Sequence, residues 1–158
     1  MNNKGIIFLL ENSTDYLFLL DQGFREGKIC NPLRVARYGN EAILYLKGVG
    51  IYADRKHYPL PQLIMIDSAI CDGSALAVLG WVRRQADLNE VPIIILQHAE
   101  QSRALKETFD KNNNAHCMRR DDIAGLVQMI KTLDLVKNHA FVQADVTSDR
   151  VNPVLSFV

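Results

Sequence analysis

The chain has 158 residues, 48% of them hydrophobic and 23% charged, which suits one globular domain with a buried core. Eighteen Lys and Arg balance eighteen Asp and Glu, so no basic excess is available to follow a phosphate backbone, and direct DNA or RNA binding is not expected as the main task. Apolar runs stop at about six residues, far short of the roughly 20 that span a bilayer, and the first meets Glu11 too soon for a secretory leader; a cytoplasmic protein with no membrane partner is expected.

Ile6 to Leu10 is a continuous apolar run, the pattern of a strand buried on both faces. Ser13 or Thr14 can cap the helix that follows, where Leu17, Leu20 and Phe24 recur at spacings of three and four and Gly27 supplies a stop. Leu33 to Arg37 is a weaker, partly polar strand expected nearer a sheet edge. Asn40 to Lys47 is a short helix with Ala42, Ile43 and Leu46 inward, and Gly48 to Pro61 reads as a loop. Leu63 to Ile66 forms a third strand ending on Asp67. Asp72-Gly73 opens a helix to about Ala86, and Val91 to Leu96 is a strongly apolar fourth strand ending on Gln97. A polar helix is expected over Gln101 to Lys111, and a fifth short strand over Ala115 to Met118. A closing amphipathic helix, Asp121 to Val136, carries Ile123, Leu126, Val127, Ile130 and Leu133 on one side.

Strands separated by helices predict a doubly wound, five-stranded parallel α/β sheet of the flavodoxin-like type over residues 1–136. Residues 137–158 are expected to be a tail or an arm for a partner. Cys30, Cys71 and Cys117 are odd in number and lack a CxxC spacing, so reduced thiols are expected rather than a disulfide framework or a zinc site.

Ligands of an open α/β sheet gather at the carboxyl ends of its strands. Here those ends deliver Glu11-Asn12, Asp67, Gln97-His98 and Arg119-Arg120: acids, amides and guanidinium groups suited to a metal-assisted phosphoryl site. The segments Gly5-Ile-Ile-Phe-Leu-Leu-Glu-Asn-Ser13, Leu63-Ile-Met-Ile-Asp67, Asp72-Gly73 and Val91-Pro-Ile-Ile-Ile-Leu96 resemble the receiver domain of two-component response regulators over about residues 4 to 136. Tyr38 to Leu46, with Gly50 to Arg55, is similar to single-domain regulators of phytochrome-type histidine kinases. The resemblance implies Asp67 as phosphoacceptor, with Mg²⁺ held by Glu11, Asn12, Asp67 and the backbone carbonyl of Ala69. It also implies phosphate-pocket and switch positions at Gln97, His98, His116 and Arg119.

Departures from the family pattern crowd this pocket. Asn12 stands where the family has a second acid; at ~4 Å a unit charge pair is worth roughly 4 kcal/mol at an effective dielectric of ~20, so Mg²⁺ binding is expected to be weak or absent. Gln97 replaces a hydroxyl, His98 a small residue, Arg119 a lysine, Arg120 a proline and His116 the switch aromatic. The loop Ser68-Ala-Ile-Cys71 is shorter than usual, which puts the Ala69 ligand in question. The guanidinium of Arg119 is expected to clamp Asp67. A Gly-rich phosphate loop and a DxD motif are both missing, so an enzyme is not expected. The expected function is a divergent receiver in phosphorelay signal transduction, a pseudo-receiver impaired in phosphorylation at Asp67. It would act by contact with a histidine kinase or another signalling protein, or with a second copy as a homodimer. The alternative is a working Mg²⁺-dependent phosphoacceptor.

Overall fold

A computed structural model describes residues 5–70, 74–98, 115–133, 135 and 155–158. Six strands, β1 (Ile7–Leu10), β2 (Leu33–Ala36), β3 (Leu63–Asp67), β4 (Ile93–Gln97), β5 (Ala115–Arg119) and β6 (Leu155–Phe157), form one parallel sheet in the order β5-β4-β3-β1-β2-β6. Among the described residues four helices accompany them: α1 (Thr14–Glu26), α2 (Gly39–Lys47), α3 (Ser74–Arg83) and α4 (Ile123–Thr132). The helix expected over Gln101 to Lys111, the Asp72-Gly73 pair and Cys71 lie outside the described residues, as do residues 136–154. Among the described residues no helix is long and apolar enough to cross a membrane.

The central strands are apolar on both faces because both faces are covered. Phe8, Leu10, Ile64, Ile66, Ile93 and Ile95 pack with residues of α2 and α3, while Ile7, Leu9, Leu63, Met65, Ile94 and Leu96 pack with α1 and α4. Strand alternation thus divides each run between two cores, and the same alternation decides which side chains beyond the strand ends share a pocket.

Ser13 caps α1, its Oγ accepting from Tyr16 N at 3.2 Å, and Tyr16, Leu17, Leu20 and Phe24 are buried. α1 runs unusually close to α4. A Cβ added at Gly23 would lie 2.1 Å from Ile123 Cγ2, and one at Gly27 2.4 Å from Val127 Cγ1.

Two features differ from the sequence expectation. Gly48 to Pro61 is not a plain loop: it contains a 3₁₀ turn, Gly50–Ala53, and Arg55 binds it to α2. The Arg55 guanidinium donates to the carbonyls of Tyr45 (2.9 Å), Leu46 (2.7 Å) and Tyr58 (3.2 Å), satisfying the free end of α2 with a cation at its negative pole. The second difference is β6. The sheet has six strands rather than five because Leu155–Phe157 pairs with β2, aligning Arg34 with Ser156. β2 is therefore one strand in from the edge, and Arg37 lies over the Phe157 ring at 4.7 Å.

Candidate functional site

The strand order reverses direction between β3 and β1, and at the carboxyl ends of these strands two acids stand side by side. Leu10 is in register with Ile66, so Glu11 and Asp67 are the next neighbours up the sheet. Both are buried, Glu11 at 0% exposure and Asp67 at 3%. Alternation places them on the α1/α4 face, following Leu9 and Met65. His98 follows Leu96 and Arg120 follows Met118 on that same face; Gln97 and Arg119 alternate to the other.

The contacts agree with this parity. Arg120 Nη2 donates to Glu11 Oε2 at 3.1 Å and stands 3.9 Å from Asp67 Oδ2. His98 Nε2 lies 2.8 Å from Asp67 Oδ1; a carboxylate oxygen only accepts, so Nε2 carries the proton of this bond. Ala69 N donates to the same oxygen at 3.0 Å. Glu11 Oε1 accepts from Asn12 N (3.1 Å) and Ser13 N (2.9 Å). The Arg120 guanidinium rests on the face of Tyr16, with Cζ 3.9 Å from the ring centroid.

Electrostatics follow from burial. Desolvation and, next, the charge of Asp67 raise the Glu11 pKa from the ordinary 4.5 to about 7, against the lowering influence of Ser13 N–H and Arg120. Burial likewise pushes the Tyr16 phenol up.

Glu11, Asp67 and His98 are brought together, with the backbone of Asn12 and Ala69 at the rim. Arg119, expected to clamp Asp67, instead turns outward and binds Asp121 through two bonds, Nε–Oδ1 at 3.0 Å and Nη2–Oδ2 at 2.7 Å. Its place is taken by Arg120, because the residue one beyond the strand end has the parity of the α1/α4 face. Gln97 is half-buried, and its carbonyl accepts from Arg120 N at 3.0 Å. His116 is half-buried in β5, in register with Ile94. Among the described residues, neither hydrogen-bonds Asp67. Arg120 as the acids' partner, and Tyr16 beneath it, are the pocket residues that motif matching did not assign. Strand parity finds the first, and the first-turn position after the Ser13 cap finds the second.

Three of the four carboxylate oxygens accept hydrogen bonds, and the fourth, Asp67 Oδ2, has the Arg120 guanidinium 3.9 Å away. Arg120 thus occupies the space beside both acids. Among the described residues no group of three His, Cys, Asp or Glu side chains is placed to hold a metal.

No protein-family model and no curated protein matches the chain. Solved structures do. A response regulator of red-light signalling from R. palustris superposes with a TM-score of 0.70 at 21% identity, covering 84% of this chain and 92% of that one. The bacteriophytochrome response regulator RtBRR gives 0.70 at 20% identity, covering 92% of this chain and 97% of that one. A phosphorylated cyanobacterial phytochrome response regulator, RcpA, gives 0.66 at 21% identity, covering 84% and 92%. The fold of this chain is thus the flavodoxin-like receiver fold of response regulators, with a sixth parallel strand in its sheet.

Proposed function

We propose that this protein is a divergent receiver of two-component signal transduction, in which Asp67 is impaired as a phosphoacceptor and the signal passes by protein–protein contact. One observation carries the reading: Arg120 sits between Glu11 and Asp67 while His98 and Ala69 N hold Asp67 Oδ1. Phosphoryl transfer needs a free carboxylate oxygen in line with the phosphorus, and a cation facing the phosphoryl oxygens. Here Asp67 Oδ1 is tied down by two donors, and Arg120 stands 3.9 Å from Oδ2 with its hydrogen bond spent on Glu11. A protein so arranged acts as a pseudo-receiver, without turnover of a small molecule and without bound Mg²⁺. Its partner on this reading is a histidine kinase or another signalling protein; the structural likeness to phytochrome response regulators supports this class of partner.

The test is intact-mass measurement after incubation with Mg²⁺ and a small phosphoryl donor, beside an ordinary receiver and the Asp67→Ala variant. The expected result is no added phosphoryl group on the native chain under conditions that label the ordinary receiver. A phosphoryl group on the native chain that is absent from Asp67→Ala would establish a working phosphoacceptor instead.

A further inference from the structure

Arg120 is held in the pocket by more than its acid partner. Four contacts close a ring. Glu11 Oε1 accepts from Ser13 N at 2.9 Å, and Ser13 Oγ accepts from Tyr16 N at 3.2 Å, fixing the first turn of α1. The Tyr16 ring, 6% exposed, lies under the guanidinium at 3.9 Å, and Arg120 Nη2 returns to Glu11 Oε2 at 3.1 Å. The Tyr16 hydroxyl is buried with no hydrogen-bond partner among the described residues, so Arg120 uses the ring face and not the phenol. Arg120 Nε is also buried without a partner there. A guanidinium with one bond to an acid, one donor unmet and a flexible stem needs a further hold, and the negative face of a desolvated aromatic ring supplies it.

We infer that Tyr16 is the positioning residue that keeps Arg120 in place as the pocket's own cation, and that without the ring Arg120 withdraws and leaves Glu11 and Asp67 open to a divalent ion. This rests on the reading that Arg120 excludes a metal, and the two are separable by experiment. Tyr16→Phe keeps the ring; Tyr16→Leu keeps an apolar side chain but removes the negative face. Arg120→Gln removes the cation itself.

The measurement is calorimetric titration with Mn²⁺ alone on the native chain and the three variants. It is joined by NMR of the Arg120 δ and ε protons, which a ring beneath the guanidinium shifts upfield. The native chain and Tyr16→Phe are expected to bind Mn²⁺ weakly and to show the upfield shift. Arg120→Gln is expected to bind most tightly. Tyr16→Leu is expected to lose the shift and gain roughly tenfold in Mn²⁺ affinity, the worth of one desolvated cation–π contact. If Tyr16→Leu does not fold, Tyr16→Met fills the space without a ring and replaces it. Tight Mn²⁺ binding by Arg120→Gln, with native-like Mn²⁺ affinity in the ring-less variant, would overturn the role of Tyr16 and leave the wider reading standing. Equally weak binding by Arg120→Gln and the native chain would overturn the exclusion of metal by Arg120, and the inference with it.

Discussion

At Glu11, burial and the neighbouring Asp67 charge oppose ionisation while the Ser13 N–H and Arg120 favour it, and burial prevails. A folded-state pKa of about 7 against an ordinary 4.5 means that the folded chain binds the extra proton between those values. Stability from this group is therefore complete below about pH 4.5 and is lost as pH rises through about 7. The loss is on the order of 3 kcal/mol. Urea-denaturation midpoints from pH 4.5 to 8 are expected to fall over this window, with a smaller fall for Glu11→Gln, whose amide does not titrate; equal slopes would contradict the assignment. The groups facing Glu11 are Asp67, Arg120 and Tyr16, so the slope belongs to this pocket. Among these residues, Glu11 and Asp67 were legible from strand-end motifs, and His98 from its place after β4. The Arg119-Arg120 pair was legible at the end of β5, but which of the two faces the acids was not, because motif matching aligns positions while the sheet sorts side chains by alternation. Arg119 and Arg120 are chemically identical, and only parity separates an outward Asp121 pair from an inward Glu11 pair.

At the scale of elements, the contact between α1 and α4 turns on Gly23. Helix propensity alone favours Gly23→Ala by about 1 kcal/mol. Packing opposes it: the new methyl would lie 2.1 Å from Cγ2 of Ile123, a β-branched side chain with little rotamer freedom. The overlap is expected to prevail, lowering stability by roughly 1–3 kcal/mol with the helices forced apart. A chemical-denaturation midpoint above the native value would refute this. The helices were legible from capping residues and three-four spacing, and β1, β3 and β4 from continuous apolar runs. β6 was not: three residues with one serine carry too little pattern to separate a strand from a tail, and only pairing with β2 reveals it. The 3₁₀ turn was hidden similarly, since its order comes from Arg55 reaching back to α2 rather than from local propensity.

For the whole molecule, sequence pattern predicted a two-sided parallel sheet, and the structure has that form. The number of strands depends on a long-range partner instead. A chain ending at residue 154 leaves the outer N–H and C=O groups of β2 unpaired and Arg37 without the Phe157 ring. Such an edge invites pairing with another chain. The shortened protein is expected to self-associate as its concentration rises, read by light scattering against the full chain; scattering equal to that of the full chain would show that β6 does not guard this edge.

That pairing also has a direction in time. Arg34 leaves the ribosome about 120 residues before Ser156, the residue beside which it will finally lie. Throughout that interval the nascent sheet can assemble β1, β2 and β3 but cannot finish the outer side of β2. Closing so long a chain segment is entropically slow to be rewarded. Until Leu155–Phe157 is made, the outer side of β2 stays unpaired and the growing protein carries an adhesive margin there. Chaperone engagement during synthesis would be spent on β2, one strand away from the acid pocket, where Glu11 N–H bonds the Ala36 carbonyl.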